Sequence, residues 1–124
     1  MSSIVIKEFA NTVFKTLGCG HSERVYHNAM EVILRKNNVQ YESERIVPIL
    51  FDGHTIGNMR ADLIIDKKLI VELKSVKTLT PAMSQQTLNY LNLTGLTDGL
   101  LINFPFSAEN CEFAVIDRLQ EKVE

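Results

Sequence analysis

The 124 residues predict an α/β domain, a mixed β-sheet flanked by helices. Three observations predict it. Two stretches with apolar residues at helical spacing open the chain, and strand-like runs follow. Residues 60–65 and 69–74 are rich in Ile, Leu and Val and are joined by the polar turn Asp66-Lys67-Lys68. A helical stretch then separates these runs from further strands, and the connection spanning 76–98 is long enough for a parallel, right-handed crossover. The order reads α-α-β-β-β-α-β-β in a single domain covering residues 1–124.

Taken in order, Ser2 or Ser3 caps a first helix that runs to Leu17. Val5, Phe9, Val13 and Leu17 recur at fours and give it one apolar stripe. Gly18-Cys19-Gly20 ends it. A second helix starts at His21 or Ser22 and ends at Asn37-Asn38, with Ser22 suited to the cap and Glu23 to the first turn. Glu23, Tyr26, Met30 and Ile33 also share one stripe, so Glu23 stands on or beside the core-facing side. From this pattern alone, Glu23 as a helix-end charge and Glu23 as a ligand are evenly matched. His27 lies off the stripe and is expected at the surface.

Residues 39–51 read as a strand, with Pro48 marking an edge or a bulge. Asp52-Gly53 is a hairpin turn. The second strand covers 54–66, with Gly57 as a bulge candidate, and the third covers 69–76. Thr80 and Pro81 open the third helix as cap and first residue, and Gly95 closes it after Thr94. Gln86 and Tyr90, four apart, share a face of it. Asp98-Gly99 reads as a turn into a buried strand, 100–104. A loop and a last strand, 111–117, follow, and the tail 118–124 reads as a short helix or a frayed end.

Composition is that of an ordinary globular domain, 45% apolar and 23% charged. No apolar run is long enough to span a bilayer, and the start lacks a signal-peptide pattern. Cys19 and Cys111 form neither a disulfide framework nor a metal-ligand spacing. A soluble, intracellular protein is the expectation. The net charge of −2 excludes a strongly basic nucleic-acid binder, although Arg60, Lys67, Lys68, Lys74 and Lys77 cluster around the central hairpin.

The hairpin carries the chemistry. With 66–68 as a three-residue loop, Ile65 pairs with Leu69. Counting back sets Asp62 opposite Glu72 and Arg60 opposite Lys74. Opposed residues have Cβ atoms about 4.5–5.5 Å apart, and like charges so placed are unfavourable without a positive group between them. A divalent cation bound by oxygen is the natural candidate. The competing account is a solvated sheet face. Against it, Ile64 and Ile70 share the carboxylates' face while Leu63, Ile65, Leu69, Val71 and Leu73 fill the other, so both faces look covered.

Asp62 followed by Glu72-Leu73-Lys74 resembles the PD-(D/E)XK nuclease superfamily. Gly20-His21-Ser22-Glu23-Arg24-Val25-Tyr26 fits G-x-x-E-x-x-Y, and Thr80-Pro81, Gln86, Asn89-Tyr90-Leu91 and Leu100-Leu101-Ile102-Asn103-Phe104 follow at matching distances. Together these resemble the small GxxExxY proteins, a RecB-like branch of that superfamily. Ala61 stands where the superfamily name has Pro, and Cys19 and His27-Asn28 also depart from the usual pattern; none of these removes a catalytic group.

The resemblance implies a restriction-endonuclease-like αβββαβ core and metal-dependent phosphodiester hydrolysis. Asp62, Glu72, the backbone carbonyl of Leu73 and Glu23 would hold Mg²⁺ or Mn²⁺. Lys74 and Gln86 would act with Asp62 and Glu72 in catalysis, supported by Tyr90. Arg60 and Lys77 are candidates for contacting a DNA or RNA substrate. The alternative is a catalytically silent module of the same fold that binds nucleic acid or a protein. Exposed sheet edges also suggest a homodimer.

Overall fold

The computed structural model describes residues 2–119. Its elements are α1 (Ser3–Leu17), α2 (Glu23–Lys36), β1 (Tyr41–Phe51), β2 (His54–Ile65), β3 (Leu69–Lys74), α3 (Pro81–Thr94), β4 (Asp98–Asn103) and β5 (Glu112–Asp117). They form one five-stranded sheet in the order β1-β2-β3-β4-β5. Pairing is antiparallel except between β3 and β4, where the crossover through α3 makes it parallel. This is the mixed sheet that the element order predicts, and β1 with its Pro48 is an edge strand.

Each face is covered by apolar residues. On one side Leu63, Ile65, Leu69, Val71 and Leu73 pack against Ile6, Phe14, Tyr26, Met30 and Leu34 of α1 and α2. On the other, Ala61, Ile64 and Ile70 pack against Tyr90 and Leu91 of α3. Burial of this apolar surface is the main term holding helices to sheet. Thr80 caps α3 by accepting from the Met83 N–H, and Gly95 closes it in the left-handed conformation.

Three expectations change. Asp98 and Gly99 belong to β4 rather than to a turn. Gly99 is needed for close approach, since a Cβ there would stand 2.9 Å from Thr87 Cγ2 of α3. β3 stops at Lys74 instead of Val76, because Val76 takes its hydrogen bonds from the Asn103 side chain. Ser22 precedes α2 without a side-chain capping bond. The bulge expected at Gly57 is present as a register shift, with Ile49 opposite Gly57 but Leu50 opposite Thr55. Arg118 and Leu119 lie in a turn, while the rest of the tail expectation falls outside the described residues. Among those residues no helix is long and apolar enough to cross a membrane.

Candidate active site

The 66–68 loop turns with Asp66 and Lys67 in the left-handed region and Lys68 N–H donating to Ile65 C=O at 2.9 Å. Ile65 therefore pairs with Leu69, Ile64 with Ile70 and Leu63 with Val71, and the β2–β3 ladder ends there. Beyond it the strands are braced by side chains. Asp62 Oδ2 accepts the Leu73 N–H at 2.7 Å, and Glu72 Oε2 accepts the Asp62 N–H at 3.4 Å. Each carboxylate thus stands in for a backbone carbonyl of the missing ladder, and the two acids meet in a fork between strands.

Asp62 is buried, at 7% exposure. Burial and the adjacent Asp62 push the Glu72 carboxyl up to about 9, and a hydrogen bond between the two acids adds to the rise. At neutral pH, without a metal, Glu72 keeps its proton. Among the described residues neither acid forms an ion pair with Lys or Arg. Lys74 lies in the same cleft and pulls weakly the other way.

That cleft, of about 420 Å³, is lined by Glu23, Asn58, Met59, Arg60, Asp62, Glu72, Lys74 and Gln86. Six candidate residues from the sequence meet here: both acids, the lysine, Arg60, the glutamine of α3 and the glutamate of α2. Asn58 and Met59 also line it; no pattern in the sequence marks them, because they line the cleft only through the extension of β2 beyond its ladder with β3. Lys77 lies outside the cleft lining, on the exposed connection after β3. A hollow of about 500 Å³ at the start of α3, between Pro81, Leu88 and Ile116, has no ionisable side chain on its walls and offers no acid–base chemistry.

Glu23 comes from the first turn of α2, exposed at the rim. Partial burial and Asp62 raise its pKa. Its position is set by Tyr26, which is fully buried. The Tyr26 hydroxyl donates to Gly18 C=O at 2.7 Å and accepts the His21 N–H at 3.3 Å, while its ring stacks on Phe104 at 4.4 Å. The glycine turn, Glu23 and Tyr26 thus form one mechanical unit. His27, expected at the surface, is buried at 3% exposure. Its Nε2 lies 2.9 Å from Ser43 Oγ and 3.0 Å from Glu31 Oε2. The apolar stripe missed it because β1 covers a second arc of α2 through this polar contact.

Tyr90 does not line the cleft. Its hydroxyl sits inside the β1–β2 ladder, accepting the Ala61 N–H at 2.9 Å and donating to Arg45 C=O at 2.8 Å. It thereby bridges a pair, Arg45 and Ala61, next to Asp62. Tyr90→Phe would take the partner from the buried Ala61 N–H and the bridge from the Arg45 carbonyl. Chemical denaturation is expected to show a loss of about 1–3 kcal/mol; a change below about 0.5 kcal/mol would show that the bridge is not needed.

The donor set suits a hard divalent ion, since it offers two convergent carboxyl groups, and burial and Asp62 hold Glu72 protonated without one. Among the described residues no three Asp, Glu, His or Cys side chains gather closely enough to hold an ion by themselves. Asp62 and Glu72 are therefore the side-chain ligands that fit, with Glu23 at the rim.

A mixed sheet with an acid pair and a lysine where two strands part defines a nuclease-like, restriction-endonuclease-like fold. The model of the PD-(D/E)XK nuclease superfamily matches residues 1–115, and the chain belongs to that superfamily. The crystal structure of SSO0001 is similar, with TM-score 0.60 and 23% identity over 76% of this chain. The match takes in 48% of SSO0001, so this chain spans about half of its length. An alkaline exonuclease (LHK-Exo) from Laribacter hongkongensis gives TM-score 0.53 at 9% identity, over 88% of this chain and 76% of its own. Both are likenesses of fold. No curated protein matches the chain.

Proposed function

We propose that this chain is a Mg²⁺- or Mn²⁺-dependent nuclease that hydrolyses phosphodiester bonds of DNA or RNA, in the GxxExxY branch of its superfamily. One observation carries the reading: buried Asp62 and half-buried Glu72 converge, among the described residues, without an ion pair to Lys or Arg, in a cleft that also holds a lysine. Asp62, Glu72 and the Leu73 carbonyl would hold the ion, with Glu23 reaching it directly or through water. When bound, the ion supplies Lewis-acid polarisation of the phosphate and a more acidic water.

The remaining work falls to the chain itself. Asp62 and Glu72 fix the site by bracing the fork, and Glu72 would give up its proton to serve as a ligand. Lys74 extends from β3 one alternation beyond Glu72, so both point into one cleft. Its ammonium orients the attacking water and stabilises negative charge developing on the phosphoryl oxygens. Gln86 holds the water or a phosphate oxygen from the α3 side. Arg60 supplies positive charge where the strand leaves the cleft, and Lys77 meets the nucleic acid farther along. The single domain would pair as a homodimer through its sheet edges.

The test uses labelled single- and double-stranded DNA and RNA with Mg²⁺, with Mn²⁺ and with EDTA. Cleavage of at least one substrate with metal, abolished by EDTA, is expected. No cleavage of any substrate, together with no stabilisation by metal, would leave the non-cutting binding module as the better reading.

A further inference from the structure

We propose that Asn103 and Glu112 form a clamp that positions Lys74 and Gln86, a role that rests on the nuclease reading of the cleft. β3 ends at Lys74, and residues 75–80 must carry the chain from there to the cap of α3. Such a connection is ordinarily the mobile part of a fold. Here its polar groups are held from the two neighbouring strands. Asn103, fully buried, stands opposite Lys74 in the parallel register. Its Oδ1 accepts the Val76 N–H at 2.9 Å, and its Nδ2 donates to Val76 C=O and to Glu112 Oε1, both at 3.1 Å. The side-chain amide thus replaces a strand neighbour for Val76.

Glu112, paired with Asn103 across β4 and β5, extends the grip. Its Oε1 also accepts the Leu79 N–H at 2.9 Å, and its Oε2 accepts the Thr78 hydroxyl at 2.8 Å. These bonds hold its pKa below the usual carboxylate value. Upstream, Phe104 N–H donates to Lys74 C=O at 2.9 Å. The clamped segment has the lysine of the cleft at one end and the helix bearing Gln86 at the other. Fixing it fixes the lysine backbone and the helix start together, without touching substrate. Asn103 is the polar residue of the Leu100–Phe104 run, and the clamp gives it a task that core packing does not.

The experiment compares wild type, Glu112→Ala and Glu112→Gln, each at a temperature well below its own melting transition. Glutamine keeps an acceptor for Leu79 and Asn103 and offers its NH₂ to the Thr78 oxygen. Glu112→Ala is expected to lower kcat about 10- to 100-fold, the scale of a small displacement of reacting groups. KM and Mn²⁺ affinity should stay within about twofold, and Glu112→Gln should recover to within about threefold of wild type. NMR signals of the Lys74 ε-methylene and the Gln86 amide should shift in Glu112→Ala and return in Glu112→Gln. An unchanged kcat in Glu112→Ala, or equal losses in both variants, would overturn the clamp. If the wild type cleaves nothing, the nuclease reading falls on its own. The clamp is then decided by the NMR signals, and unshifted Lys74 and Gln86 resonances in Glu112→Ala would refute it.

Discussion

Lys74→Ala is expected to lower the rate of metal-dependent cleavage by about a thousand-fold while leaving metal binding within a few-fold of wild type. The lysine lines the cleft with both acids, yet among the described residues it forms no ion pair with them. Its charge is therefore free to act on substrate. A positioned charge or proton-transfer group contributes about 10²–10⁴-fold to rate. Asp62→Ala should lose cleavage and metal binding together, and a double change of Asp62 and Lys74 should cost little more than the worse single change, because the groups serve one transition state. Single-turnover rates with parallel Mn²⁺ titrations separate these outcomes. Equal loss of metal affinity in Lys74→Ala and Asp62→Ala would remove the distinct role of the lysine.

Glu72→Gln is expected to make the metal-free protein more stable at alkaline pH and to abolish its stabilisation by metal. The folded carboxyl titrates near 9, against 4.5 for an ordinary glutamate. Between those values the folded chain holds a proton that the unfolded chain has released. Stability from this group is thus complete below pH 4.5 and falls as pH rises towards 9. Glutamine mimics the protonated form, donating to Asp62 and still accepting its N–H. The variant should melt close to wild type at pH 5 and roughly 5 °C or more above it at pH 8. Mg²⁺ should raise the melting temperature of wild type at pH 8 and not that of the variant. Parallel melting curves across this range would sink the account of a protonated Glu72. Asp62→Ala is a less clean probe, because it strands the Leu73 N–H that Asp62 Oδ2 accepts.

The fold was largely legible because its signals are local. A three-residue polar loop sets Ile65 against Leu69, and from that pair the approach of Asp62 to Glu72 follows by counting. The capped, glycine-closed α3 explains the one parallel pairing. Where reading failed, distant elements decided. Gly99 looked like a turn residue until the approach of Thr87 from α3 required it. Val76 looked like strand, but a side chain from β4 satisfies its backbone. His27 looked exposed because a single-helix stripe cannot show that β1 brings Ser43 to it. The Tyr90 hydroxyl in the β1–β2 ladder and the bonds from Asn103 to Val76 and from Glu112 to Leu79 were invisible for the same reason: each joins residues far apart in the chain.

Asp62 and Glu72 are expected to hold a divalent ion in the fork between β2 and β3. Crystals soaked in Mn²⁺, with anomalous diffraction measured, test it most directly. The expected result is one anomalous peak within bonding distance of a carboxylate oxygen of Asp62, of Glu72 and of the Leu73 carbonyl, absent from Asp62→Ala crystals soaked alike. A fork without a peak at a Mn²⁺ concentration that supports cleavage, or a peak held by other residues, would contradict it.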